Sequence, residues 1–431
     1  GGSDDAPATQ APGSPAPGSP APSPAPAPAP APQPGQPVSP PPTPAPPVPA
    51  PPPPAPAPSG APFGVDITSS TPTAPPTGVV PRLVTLPAVL NTPWGLAFLP
   101  DGRMLVTQKG GTLVLVSADG ATVSPVSGAP AVESSGQGGL LDVALDPQFD
   151  LAANRRIYLA FSQPAGGGQS RTAVARADLS ADLGALQNVT VIFQQTPTKG
   201  SGSGHYGSRI LFRADGTMFV TLGERQGSAP EAQQLTSQLG KVVRIQRDSG
   251  AIPADNPFAS MGGNAAAVWS YGHRNPQAAA IHPATGDLWV TEHGPQGGDE
   301  VNLALAGRNF GWPVVSYGCS YGDPVGTSCR IGGGVHNAPH TPPLAYWYPT
   351  STAPGGAMFY TGARFPEWQG NLFVGGLAGR TLYRFVLNGN AIAGHEPLLV
   401  NLHEIRDLKQ GQDGWIYFLS RNTSRIVRIE R

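Results

Sequence analysis

The sequence predicts an all-β, six-bladed β-propeller, and three observations carry that expectation. A strand-turn-strand unit recurs six times from Pro93 onward: "PWGLAFLPDGRMLVTQKGGTLVLV", "LLDVALDPQFDLAANRRIYLAFS" from Leu140, "GSRILFRADGTMFVTLG" from Gly207, "PQAAAIHPATGDLWVTEHG" from Pro276, "GAMFYTGARFPEWQGNLFVGGLAGRTLYRF" from Gly356 and "IRDLKQGQDGWIYFLS" from Ile405. Most units place a Pro-Asp-Gly or Ala-Thr-Gly turn between two short apolar strands, the signature of a hairpin whose glycine takes positive φ. No helical period interrupts them, so radial repetition is favoured over a sandwich or two β domains.

Each unit supplies an inner strand and its return, and the connections between units vary in length. In a ring of such units, those connections converge at the mouth of the central channel. Functional side chains are therefore expected at strand ends and not within strands.

Before the repeats lies a different kind of sequence. Residues 1–62 hold 27 of the 54 prolines, no aromatic residue, and Asp4 and Asp5 as their only charges. Such a stretch cannot bury enough apolar surface to offset chain entropy. Residues 1–77 are expected to form a disordered, Pro/Ala-rich linker or tether, and 78–431 the propeller domain. The opening "GGSDD" matches the way bacterial lipoproteins often continue after their lipidated cysteine, so a lipid anchor is one expectation and a cloning scar the competing one.

The formal net charge of −1 gives no electrostatic reason to expect nucleic acid or a membrane surface as partner. No apolar run approaches the ~20 residues that span a bilayer. Cys319 and Cys329 share one Gly-rich loop, and a disulfide is expected there, implying an oxidising, periplasmic or extracellular setting. A two-cysteine metal site would need further ligands, and none is close in sequence.

Several strand-end loops are rich in polar chemistry. His205 lies in "GSGHYGSRI", where neighbouring glycines permit close approach of a ligand and imidazole suits proton abstraction near neutral pH. The bland alternative is an ordinary surface or core histidine. Glu224 in "LGERQG" is either an orienting carboxylate or a surface acid paired with Arg225. "WSYGHRNPQ" lines up His273, Arg274 and Asn275, a planar donor fork beside an amide, or else a loop that bonds its own backbone. Gln137 in "ESSGQGGLLDV" and Arg406 in "HEIRDL" carry little signal alone, and a solvated side chain is the default reading of each. "EHGPQGGDE" is denser: His293, then a Gly294-Pro295 turn able to present carbonyls, then Asp299 and Glu300. Carbonyls with carboxylates are hard oxygen donors that suit calcium better than zinc. Zinc-spaced His/Cys clusters, a Gly-x-Ser-x-Gly elbow and a phosphate-binding loop are all missing.

Taken in order, "PWGLAFLPDGRMLVT", "GQGGLLDVALDPQF", "GHYGSRI", "SYGHRNPQ", "EHGPQGGDEVN" and "GRNFGWPVVSYG" resemble the soluble quinoprotein sugar dehydrogenases. The similarity is greater to the aldose sugar dehydrogenase branch than to the soluble glucose dehydrogenase branch, and it covers residues 78–431. It implies a six-bladed propeller that binds pyrroloquinoline quinone (PQQ) and calcium at the channel mouth and oxidises aldose sugars to lactones for an external electron acceptor. By resemblance, His205 is the general base, Glu224 supports it where the family usually has Asp, and Arg274 completes the catalytic set. Gln137, His205, Arg274, Asn275, His293 and Arg406 match cofactor-side positions. Gly294 and Pro295 match the carbonyl ligands of calcium, and Asp299 reaches it through water.

Two positions depart from the pattern: Glu404 and Ala378 stand where the family often has Arg and Lys, and Arg380 is the candidate replacement cation. The competing functions are a calcium-dependent sugar lactonase and a propeller that only binds carbohydrate or protein. A monomer or dimer is expected.

Overall fold

A computed structural model of the chain describes residues 65–67 and 74–431. It is a six-bladed β-propeller. The inner strands of successive blades are Pro93–Phe98, Leu140–Leu145, Ile210–Phe212, Ala278–Ile281, Pro354–Phe359 and Ile405–Gln410. Each opens an antiparallel sheet of at least four strands, and each falls in one of the six repeats read from the sequence. Five of the hairpin turns place a glycine in the left-handed region, with φ between 73° at Gly286 and 91° at Gly102, as the turn chemistry requires.

Neighbouring inner strands pack side by side around the axis, and the last packs on the first. Closure uses a strand the repeats do not announce. Arg82–Thr85 pairs antiparallel with Arg425–Glu430 as the outer strand of the sixth blade, so the first and last strands of the ring share one sheet. A ring closed in this way exposes only short outer edges.

The core is divided among six seams between adjacent blades. Leu105 and Leu113 meet Leu140 and Phe161 between blades 1 and 2, for instance, and Trp347 meets Phe359 and Phe385 between blades 4 and 5. Every blade thus buries both faces, which explains strands that read as near-continuous apolar runs, such as MFVTL and IYFLS.

The proposed tether, residues 1–77, lies mostly outside the described residues. Its last part does not behave as a separate tether. Val65–Asp66 adds a parallel fifth strand beside Ala345–Trp347 in blade 4, the Ala74 N–H donates to the His395 carbonyl at 3.0 Å, and Thr77 accepts from the Trp368 indole at 3.2 Å. Short β-capable segments such as "GVDI" escape a composition argument because they are too small to shift the average.

One side chain occupies the axis. Arg209, 3 % exposed, donates to the Gln277, Gly355 and Arg406 carbonyls at 2.6–2.7 Å and pairs with Asp142 at 3.1 Å and Asp407 at 3.3 Å. Its guanidinium also stacks 4.2 Å from the Trp94 ring, so a residue of blade 3 touches all five other blades. Beyond it, at the C-terminal ends of the inner strands, a cavity of about 430 Å³ opens, lined by Phe98, Leu145, Phe212, Ile281, Phe359 and Lys409 among others.

Candidate active site

The polar loops meet at the other mouth, where the chain enters the inner strands. The site is built around His205. Its backbone sits at φ 58°, and Ser208, Arg225 and Gln226 nearby are also left-handed, a cluster of unfavourable conformations of the kind found at functional sites. Gly223 explains how the loop closes: a Cβ there would lie 1.9 Å from the His205 carbonyl oxygen, so only glycine lets the two segments touch.

His205 Nδ1 hydrogen-bonds Glu224 Oε1, and both side chains are almost fully buried. Glu224 Oε2 accepts from the Trp312 indole at 3.0 Å, and Oε1 also accepts the Gln226 N–H at 2.7 Å. Burial holds the His205 imidazole below its usual range; Glu224 opposes that shift and Arg274 adds to it. Burial alone would raise Glu224, but His205, Arg274 and the Trp312 N–H together keep it below the usual carboxylate range. The two directions agree on one state: a neutral imidazole that donates from Nδ1 to a carboxylate, which makes Nε2 its basic nitrogen.

Gln137 and Asn275 hold the loop from either side. Gln137 Oε1 accepts the His205 N–H at 2.8 Å, and Asn275 Oδ1 accepts the Gly207 N–H at 3.1 Å. Arg274 is the link to the opening motif of blade 4. Its carbonyl accepts the Glu224 N–H at 3.1 Å, while Nη1 donates to the Gly294 carbonyl at 3.0 Å and Nη2 to the Tyr321 hydroxyl at 2.7 Å. His205 and the Gly294-Pro295 turn therefore stand at the same mouth, linked through Glu224 and Arg274.

The turn has its own scaffold. Asp299 accepts the Gly294 N–H at 3.1 Å and the Ala353 N–H at 2.7 Å, and burial pushes its carboxyl up to about 6. Its observed work is to shape the turn. His293 bonds through Nε2 to the Pro354 carbonyl at 2.8 Å, tying blade 4 to blade 5. Glu292 binds His273 Nδ1 at 2.9 Å and the Arg274 N–H at 2.6 Å, so His273 braces the loop from behind. Among the described residues no three His, Cys, Asp or Glu side chains converge as a metal cage. A cation here would rest on main-chain oxygens, and the Gly294 carbonyl, with two lone pairs, can serve Arg274 and a cation together.

Arg406, 1 % exposed, lies deeper. Nη2 donates to Gln277 Oε1 at 3.0 Å, and the guanidinium stacks 4.3 Å from Trp94. The Asn275 side-chain nitrogen is buried with no hydrogen-bond partner among the described residues, which fits an acceptor on a bound group. Two buried guanidiniums and this amide donor suit an acceptor-rich anion such as PQQ.

One expectation changes. Arg225 does not pair with Glu224; it turns away to the Ser170 carbonyl and the Tyr206 hydroxyl, both at 2.8 Å. Arg380, the candidate replacement cation, is half-exposed and pairs with Glu404 at 3.4 Å, and Glu404 also binds Arg421 at 2.9 Å. Ala378 is exposed. The expected Cys319–Cys329 disulfide is present. Sequence reasoning missed Trp312, Gln226 and Tyr321 as site residues: Gln226 shares the Glu224 loop and Trp312 a family-like motif, but nothing in either pattern says that these groups bond Glu224, or that Tyr321 bonds Arg274.

The family model for glucose/sorbosone dehydrogenases matches residues 90–428. Aldose sugar dehydrogenase YliI of Escherichia coli is 40% identical over 337 residues, covering 78% of this chain and 88% of that protein. The crystal structure of the soluble aldose sugar dehydrogenase from E. coli in the apo-form superposes with a TM-score of 0.74 at 38% identity, over 81% of this chain and 99% of that one. The PQQ-bound form of aldose sugar dehydrogenase from Streptomyces coelicolor superposes with a TM-score of 0.65 at 28% identity, over 83% and 99%.

Proposed function

The chain belongs to the glucose/sorbosone dehydrogenase family, and from that premise we propose that it oxidises aldose sugars at C1 to lactones with PQQ and calcium. The observation that carries the reading is the buried His205–Glu224 pair joined through Arg274 to the Gly294 carbonyl. Oxidation of a hemiacetal removes a proton from the C1 hydroxyl and a hydride from C1. His205 Nε2 takes the proton, since the neutral tautomer leaves that nitrogen basic. Glu224 is the positioning residue: it fixes the tautomer and stabilises the imidazolium that forms. Trp312 and Gln226 hold Glu224 in turn.

Bound PQQ would supply the two-electron acceptor for the hydride, and calcium would polarise its quinone oxygens. Arg274, Arg406 and the Asn275 amide would hold the carboxylate-rich cofactor, with Gln137 and His293 fixing the surrounding backbone. The carbonyls of Gly294 and Pro295 would hold calcium, with Asp299 behind them. An external acceptor would take the electrons. The disulfide supports a periplasmic or extracellular setting.

The test is direct. The purified protein is titrated with PQQ in calcium and assayed for dye reduction against a panel of sugars. Saturable, sugar-dependent reduction is expected; none with any aldose at full PQQ loading would end the reading.

A further inference from the structure

The Cys319–Cys329 disulfide, Cα–Cα 5.2 Å, closes a loop that is pinned at its neck. Gln296, directly after Pro295, exchanges two backbone hydrogen bonds with Cys319, both 3.1 Å, and its side-chain amide donates to the Ser320 carbonyl. The Ile331 N–H donates to the Gly318 carbonyl at 3.0 Å. The loop is thus fastened to the same turn that presents the Gly294 carbonyl.

From this neck Tyr321 reaches across to Arg274. Its hydroxyl accepts from Nη2 at 2.7 Å, and its ring centre lies 5.6 Å from the guanidinium carbon. Trp312 lies 5.3 Å from the same carbon and is bonded to Glu224. Two aromatic side chains from the connection between Asp299–Leu303 and Ala345–Trp347 therefore flank one guanidinium beside the buried imidazole. A brace for Arg274 would need only an oxygen acceptor. A half-buried aromatic ring on a loop held by a disulfide and three backbone hydrogen bonds is more than that task needs. A pyranose presents an apolar C–H face and a hydroxyl edge, which an aromatic ring beside a guanidinium complements.

We propose that Tyr321, carried by the disulfide-closed loop, is a specificity-determining wall of the aldose subsite, its ring lying against the C–H face of the sugar. The proposal rests on the dehydrogenase reading for the identity of the ligand. It makes the loop a substrate-selecting element that also couples the sugar to the Gly294-Pro295 turn.

The experiment uses the protein loaded with PQQ and calcium. The probe is 1,5-anhydroglucitol, which keeps the pyranose ring and lacks the C1 hydroxyl, so it binds without turnover. Calorimetric titration reads its Kd. Tyr321→Leu is expected to weaken the probe and raise KM for aldoses about tenfold, while kcat changes by less than about threefold. Affinity for PQQ, read from its absorbance, should stay within about twofold. Tyr321→Phe, which keeps the ring, should stay within about threefold of wild type in probe affinity, and it guards against a folding defect in the leucine variant.

Wild-type probe affinity in Tyr321→Leu would overturn the proposal, as would loss of PQQ affinity in parallel with activity, an equal defect in Tyr321→Phe, or failure of the wild type to bind the probe. Tyr321-dependent probe binding without oxidation of any aldose would sink the dehydrogenase reading and leave the subsite standing.

Discussion

The axis and the mouth of the channel bury the same kinds of side chain and treat them in opposite ways. On the axis, Arg209 spends its donors on three carbonyls and two carboxylates drawn from blades all round the ring. At the mouth, Arg274 donates to turn carbonyls and to a tyrosine on a half-buried loop, and the nearby Asn275 nitrogen has no partner among the described residues. A buried polar network whose members are mutually satisfied holds a fold together; one with a donor left over is arranged for something that arrives later.

The hardest blow to that contrast is Arg209→Met. It removes the guanidinium between two buried carboxylates, leaving Asp407 with Lys409 at 2.9 Å and Asp142 with main-chain N–H groups, and loss of one partner from a buried charge network typically costs about 3–5 kcal/mol. A large fall in melting temperature is expected, whereas Arg274→Met, which leaves Glu224 bonded to His205 and Trp312, should lower melting less and abolish PQQ binding. If both variants melt alike, the distinction between the two regions fails.

Acid should loosen the mouth through His336, packed 5.0 Å from Tyr317 and 3.9 Å from Glu300. Burial, helped by the charge of His340, pushes His336 down to about 4. Glu300 is itself raised well above its usual range by burial beside Glu292. Because the unfolded imidazole protonates first, the stability contributed by neutral His336 is present above about pH 6.5 and is lost as pH falls toward 4, by about 3 kcal/mol. Chemical denaturation of wild type and His336→Gln across that window checks it: the variant's curve should be flatter.

The chemistry is sharpened by His205→Ala, expected to lower turnover at least ~100-fold while PQQ still binds. Turnover within a few-fold of wild type would remove His205 from the reaction. Smallest is the effect of trimming the N-terminal arm. Removing residues 1–64 should leave melting and activity unchanged, while removing 1–77 also deletes the Val65–Asp66 strand and should cost about 1 kcal/mol. Equal melting of the two truncations would show that this strand adds nothing.

Much of this was legible because repeats and turns are local. The hairpin turns, the six inner strands and the identity of His205, Arg274, Asn275 and the Gly294-Pro295 turn all come from short patterns and the resemblance they support. Trp312 and Tyr321 were not legible: an indole bonding an acid 88 residues away leaves no trace in the spacing around either. The surroundings of Arg380 were equally hidden, since its pairing with Glu404 links two segments that the sequence does not place together.

The order of residues alone determined that this chain forms a ring of hairpins and which loops carry reactive groups, because φ preferences and apolar alternation act over a few residues. Only the tertiary structure decided which of those groups meet. It turned Arg225 away from Glu224, seated Arg209 on the axis, and brought Tyr321 to Arg274. Those pairings follow from blade packing and loop closure, which depend on the whole ring and are written in no single segment.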